Sequence, residues 1–98
     1  MVIGVCKVLL SIDSAFSLKE KRQIIKSILG RVKSRFNTSI AEVDYNDSWK
    51  NTVIAAAYVS NNSKHAYSIM AKMVNFIESD TRAVLVDYTT EIMHFDNG

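Results

Sequence analysis

Val2-Ile-Gly-Val-Cys-Lys-Val-Leu-Leu-Ser-Ile12 and, just after it, Ser17-Leu-Lys-Glu-Lys-Arg22 decide the fold. The first stretch is a nearly continuous apolar run, the pattern of a central β-strand. Its alternation puts Val2, Gly4, Cys6, Val8, Leu10 and Ile12 on one face and Ile3, Val5, Lys7, Leu9 and Ser11 on the other. The second stretch is a capping box: the Ser17 hydroxyl accepts from an orphan helical N–H while the Glu20 carboxylate reaches back. Leu18, Ile25, Leu29, Val32 and Phe36 then recur at helical spacing, with Ile24 and Ile28 widening the stripe. Asn37 is suited to end that helix.

Farther along, Ser39 to Tyr45 alternates as a strand, Asn46-Asp-Ser48 is turn chemistry, and Val53 to Ser60 returns, so residues 39–60 form a hairpin. Ser60-Asn-Asn-Ser63 punctuates the chain. Ala66, Ile69, Met70, Met73, Val74 and Ile77 follow at helical spacing. Ala83 to about Met93 is a last strand, rich in β-branched residues and tyrosine. The order predicts an α+β, ferredoxin-like βαββαβ domain: a four-stranded antiparallel sheet with two helices on one face and the first and third strands central.

With 98 residues, 48% of them hydrophobic and 22% charged, the composition is that of one globular domain. No segment reads as a linker, so residues 1–98 are expected to form a single unit. The opening apolar run ends by Ile12 and lacks a charged leader, which argues against a secretion signal or a membrane span. The expected address is the cytoplasm.

The net charge of +2 conceals an uneven distribution. Residues 19–35 hold seven bases against one acid, Glu20, a net of +6, leaving −4 for the remainder. Lys19, Arg22, Lys26 and Lys33 fall in a narrow arc beside the apolar stripe, and Arg31 lies on the opposite flank. Lys21 points into the apolar arc and is expected to lay its stem on the core edge, seeking Glu42 or Asp44. Lys19, Arg22, Lys26, Arg31 and Lys33 are the candidate surface for RNA or a ribosome-associated partner. The plain alternative is a solvated helix face whose bases suit the helix dipole.

The sheet face away from the helices is expected to show Ile3, Val5, Lys7 and Leu9, joined by Ile54 and Tyr58 from the third strand. Ile40, Glu42 and Asp44 would come from the second strand, and Asp87, Thr89 and Glu91 from the last. One tyrosine among acids disfavours base stacking on the sheet. An apolar patch with a lysine and carboxylates fits a homodimer better, through Ile3, Val5, Leu9, Ile54 and Tyr58.

Catalytic constellations are sparse. Gly4, Gly30 and Gly98 are isolated, so no phosphate-cradling loop forms, and Ile12-Asp-Ser-Ala-Phe16 offers neither the glycines nor the arginine of an acylphosphatase-type anion loop. His65 and His94 lack second ligands at metal spacing. Cys6 sits inside a strand and reads as an inert core thiol. Asp44-Tyr-Asn-Asp-Ser48 lacks a calcium loop's glycine and closing glutamate, with Trp49 and Ala55 in those places. Asp44, Asp47 and Trp49 nevertheless put acids and an aromatic at a hairpin tip, either as turn caps or as a small recognition surface. No enzymatic activity, cofactor or metal is expected.

Ser17-Leu-Lys-Glu-Lys-Arg22, Arg35-Phe-Asn37, Ala41-Glu-Val-Asp44, Asp47-Ser-Trp49 and Val59-Ser60 together resemble the YlxP-like family of uncharacterised bacterial proteins. The resemblance spans nearly the whole chain and implies a ferredoxin-like fold. Such proteins are encoded in many bacteria beside translation factors and a ribosome-binding assembly factor, which implies a role near RNA or the ribosome. The resemblance implies no catalytic residue. Ala55 stands where glycine is expected in relatives, which stiffens the strand there.

Overall fold

The computed structural model describes residues 1–95. β1 (Val2–Ser11) leads to α1 (Leu18–Arg35), then the hairpin of β2 (Ser39–Asp44) and β3 (Asn51–Ser60), then α2 (Ser63–Glu78) and β4 (Val84–His94). The sheet order is β2-β3-β1-β4, all neighbours antiparallel, so the first and third strands are central as expected. α2 lies over β1, β4 and β3, whereas α1 lies over β2 and beside α2. The fold is ferredoxin-like.

Strand alternation builds the core directly. Cys6, Val8, Leu10 and Ile12 are buried under the helices, against Ile25, Ile28 and Val32 of α1 and Met70, Met73 and Ile77 of α2. Gly4 belongs to this face because Met70 occupies the space a side chain would need: a Cβ there would lie 2.8 Å from Met70 Sδ. The buried stripe of α1 runs through Lys21, Ile25, Ile28 and Val32, with Leu29 only half-buried.

The capping box forms. Ser17 Oγ accepts from Glu20 N–H at 3.1 Å, and Glu20 Oε2 reaches back to Phe16 N–H at 2.8 Å. The other end differs from expectation. α1 leaves through extended backbone at Phe36, whose N–H still donates to Val32 O, and Asn37 takes no left-handed conformation. A ring contact replaces the cap, with Phe36 edge-on to Phe76 of α2 at 5.8 Å.

The phase of β3 is the main correction. Val8 pairs with Ile54, Cys6 with Ala56 and Gly4 with Tyr58, so Ile54 and Tyr58 face the helices. Ile54 is 1% exposed and is core. Ile40 and Glu42, aligned with Ala56 and Ile54, share the helix face too. The outer face instead takes Val53, Ala55, Ala57 and Val59, opposite Leu9, Lys7, Val5 and Ile3. Residues 53–59 are apolar in both phases, and only pairing with β1 selects one.

Lys21 is the least ordinary core residue. Its side chain is 1% exposed, and Nζ lies 2.9 Å from Glu42 Oε2 and donates to Tyr45 O at 2.6 Å. The same Glu42 oxygen accepts from the buried Thr52 hydroxyl. Tyr45 has φ +60°, a left-handed conformation that costs a bulky residue about 1–3 kcal/mol. It is held by Asp44 Oδ1 on its N–H and by Lys21 and Ser48 on its carbonyl.

Truncating the ammonium should therefore loosen helix and hairpin together. Lys21→Ala is expected to cost about 3 kcal/mol in urea denaturation, because Glu42 and the Tyr45 carbonyl lose their shared cation. Glu42→Gln keeps an acceptor for Thr52 but leaves the Lys21 ammonium buried beside a neutral amide, and should cost a comparable amount, about 3 kcal/mol.

Candidate functional site

With Lys21 turned inward, helical geometry fixes where the remaining bases of α1 go. Lys19, Arg22, Lys26 and Lys33 are all exposed and share about 60° of arc at 3.6 residues per turn. Three of them, Arg22, Lys26 and Lys33, border a groove beside β2. Its apolar wall is Ile25 and Leu29, Gly30 leaves a gap in it, and Glu42 is the one acid on its lining. Lys19 stands outside the groove, one turn nearer the helix start. No ion pair engages these four among the described residues.

Arg31 is placed differently. Its Nη1 lies 3.2 Å from Asp80 Oδ2, and its guanidinium stacks 5.4 Å from the Phe76 ring centroid. Asp80, in the turn after α2, is buried and also grips Arg82, which donates from Nε to Oδ1 at 2.9 Å and from Nη2 to Oδ2 at 2.6 Å. Arg82 Nη2 reaches Ser27 Oγ of α1 at 3.0 Å, so the cluster fastens α1 to the turn before β4. Arg31 is thus a structural cation first. Asp80, Arg82 and Ser27 were not singled out from the sequence. The Asp80-Thr-Arg82 spacing was the local signal, but the α1 partners lie 49 and 55 residues away.

At the hairpin tip Asp44 caps Tyr45 N–H, Asp47 is exposed, and Trp49 is 42% exposed with Lys50 Nζ 5.4 Å from its ring centroid. On the outer sheet face Ile3, Val5 and Leu9 are half-exposed, as are Val53, Ala55 and Ala57. Val59 is 64% exposed. The Cys6 thiol is buried, and that burial pushes its pKa up, away from a reactive thiolate. The Tyr58 hydroxyl and His65 Nε2 are 3.2 Å apart at the start of α2. Among the described residues no group of three or more His, Cys, Asp and Glu side chains is placed to hold a metal ion, and no helix is long and apolar enough to cross a membrane.

The family model described as "Protein of unknown function (DUF503)" matches residues 3–90. The chain belongs to the DUF503 family. "Uncharacterized protein YlxP" of Bacillus subtilis (strain 168) is 38% identical over 78 residues, covering 80% of this chain and 85% of that one. Neither description names an activity. Among solved structures, a de novo designed protein with a ferredoxin fold covers all of this chain at 16% identity, with 89% of its own length aligned and a TM-score of 0.53. That likeness shows the fold alone. SnoaB, a cofactor-independent oxygenase from Streptomyces nogalater, aligns over 99% of this chain and 95% of its own at 5% identity and a TM-score of 0.48, and transfers no chemistry.

The Asp80 cluster predicts a defined acid sensitivity for the DUF503 chain. The Arg82 hydrogen bonds hold the Asp80 carboxyl below its ordinary value of 3.8, and the Arg82 and Arg31 charges act in the same direction. A depressed carboxylate contributes stability above the unfolded-state pKa and loses it as pH falls through the folded value. Asp80→Asn is expected to lower stability at pH 7 and to flatten the loss below about pH 4, measured by thermal melts across pH.

Proposed function

We propose that this chain is a non-enzymatic accessory protein that engages an anionic partner, an RNA or a ribosome-associated protein, through the outer flank of α1. The observation that carries this reading is the division of the α1 bases. Lys21 and Arg31 have buried or stacked partners within the fold, whereas Lys19, Arg22, Lys26 and Lys33 share one flank with no ion-pair partner among the described residues. Cations one turn apart (Lys19, Arg22 and Lys26) and two turns apart (Lys26 and Lys33), about 6 and 10 Å, raise one another's field without lending stability, since exposed like charges on a helix repel weakly. Glu42 does not offset them, because its carboxylate serves Lys21 and Thr52. A helix-dipole role covers only the last turn, where Lys33 and Arg35 lie.

Immobilised heparin serves as a general polyanion probe. K26E/K33E should elute at clearly lower salt than the wild type. K64E/K72E, the same charge change on exposed positions of α2, should elute close to it. Equal shifts for the two double variants would falsify a localised site.

A second reading rests on the outer sheet face. Ile3, Val5, Leu9, Val53 and Val59 lie there uncovered, with Lys7 on β1 and Asp87 and Glu91 on β4 supplying both signs of charge. Three strands of ten or eleven residues and the six-residue β2 present about 500–600 Å² per copy, so two copies burying this face reach about 1,000–1,200 Å², the lower end of stable interfaces. Self-association through this face is the reading supported. In sedimentation at about 100 μM the wild type should be dimeric and Val5→Glu monomeric; a monomeric wild type there removes this reading.

A further inference from the structure

β2 is an edge strand. It pairs with β3 on one side, and among the described residues nothing pairs with its other side, so N–H and C=O groups along Ser39–Asp44 face outward. α1 lies over this strand, and the groove along its outer flank joins the aliphatic wall of Ile25 and Leu29 and the cations Arg22, Lys26 and Lys33 to Glu42 of β2, the strand whose far edge is unpaired. We propose that this groove takes an extended acidic polypeptide segment, which adds to the β2 edge as a fifth strand and lays carboxylates under the α1 bases. The proposal rests on the anionic-partner reading and names the partner's class.

Four features favour a polypeptide. Six residues of β2 offer about 20 Å of edge, and Arg22 to Lys33 spans about 16 Å along the helix axis, so bases and edge run over the same length. Strand addition supplies affinity through main-chain hydrogen bonds, which RNA cannot make to a strand edge in register. The wall is aliphatic: among the described residues no aromatic side chain lines the groove to stack a base. Gly30 leaves open space, since a Cβ built on it meets no heavy atom within 4 Å. The one acid on the lining, Glu42, is held by Lys21, so a carboxylate entering the groove meets a net positive field.

The test uses the full chain and a labelled peptide, acetyl-Glu-Thr-Leu-Thr-Glu-Thr-Glu-amide. Its alternate positions present glutamates and a leucine to one side. The control peptide carries proline in place of the central threonine, with the same charge but a missing donor and a backbone unsuited to a strand interior. Binding is read by fluorescence anisotropy and by hydrogen exchange on residues 39–44. Expected are slowed exchange on β2 with the first peptide and binding weakened about tenfold or more by the proline. Gly30→Glu should weaken binding similarly while leaving the melting temperature unchanged or higher, because glycine is a poor helix residue.

Equal affinity for the two peptides, or unchanged exchange on β2, overturns strand addition and leaves the anionic-partner reading standing. Binding of an oligouridylate of matched charge, without binding of the peptide, overturns the polypeptide in favour of RNA. If heparin retention is also insensitive to K26E/K33E, both readings fail together.

Discussion

A lysine ammonium buried between the Glu42 carboxylate and the Tyr45 carbonyl is the constraint on which the rest of this structure turns. A buried charge is tolerated only with close partners, so Lys21 can lie in one direction only, and that direction fixes the roll of α1 about its axis. Because α1 positions lie 100° apart, placing Lys21 at the centre of the buried stripe sends Arg22, Lys26 and Lys33 to the flank above β2. The same contact holds the hairpin's first turn residue in a left-handed conformation and occupies the one carboxylate that would neutralise the groove. Helix roll, hairpin shape and the sign of the groove's field thus share one cause.

The opposite flank of α1 is treated in the reverse manner. Asp80 draws Arg31 and Arg82 together, Ser27 joins through Arg82, and Phe76 lies beneath the guanidinium groups of Arg31 and Arg35 at 5.4 and 5.0 Å. Cations on that side face an acid and a ring belonging to the same fold. One helix therefore carries two basic flanks of different character, one that locks α1 to the α2–β4 turn and one with no ion-pair partner among the described residues.

How much of this was legible in the sequence depended on range. The element order, the capping box at Ser17 and the inward turn of Lys21 follow from local periodicity, and those expectations match the geometry. Periodicity leaves the partner of Lys21 open between Glu42 and Asp44, and pairing with β3 brings Glu42 to the helix face. The phase of β3 could not be read, since Val53, Ile54, Ala55, Ala56 and Ala57 are apolar on either face. Only the pairing of Val8 with Ile54 assigns Ile54 and Tyr58 to the helix side. The diversion of Arg31 was equally hidden, because its acid lies 49 residues away in a turn. Asn37 misled for another reason: the ring contact of Phe36 with Phe76 fixes the exit of the helix without a left-handed cap.

The open edge of β2 raises a question that the charge distribution answers. An unpaired edge invites strand pairing with any chain, including a second copy, and proteins commonly blunt such edges with bulges and charge. β2 is short, its pairing shifts register between Glu42 and Asp44, and three uncompensated cations overlook it. Two copies approaching edge to edge bring those cations together and repel, whereas an acidic strand meets attraction at the same positions. Specificity is a difference between two such energies, so one set of charges both protects the edge from self-pairing and selects what it accepts. The outer sheet face carries both signs of charge and lacks that discrimination. Self-association, where it occurs, is thereby directed away from the β2 edge.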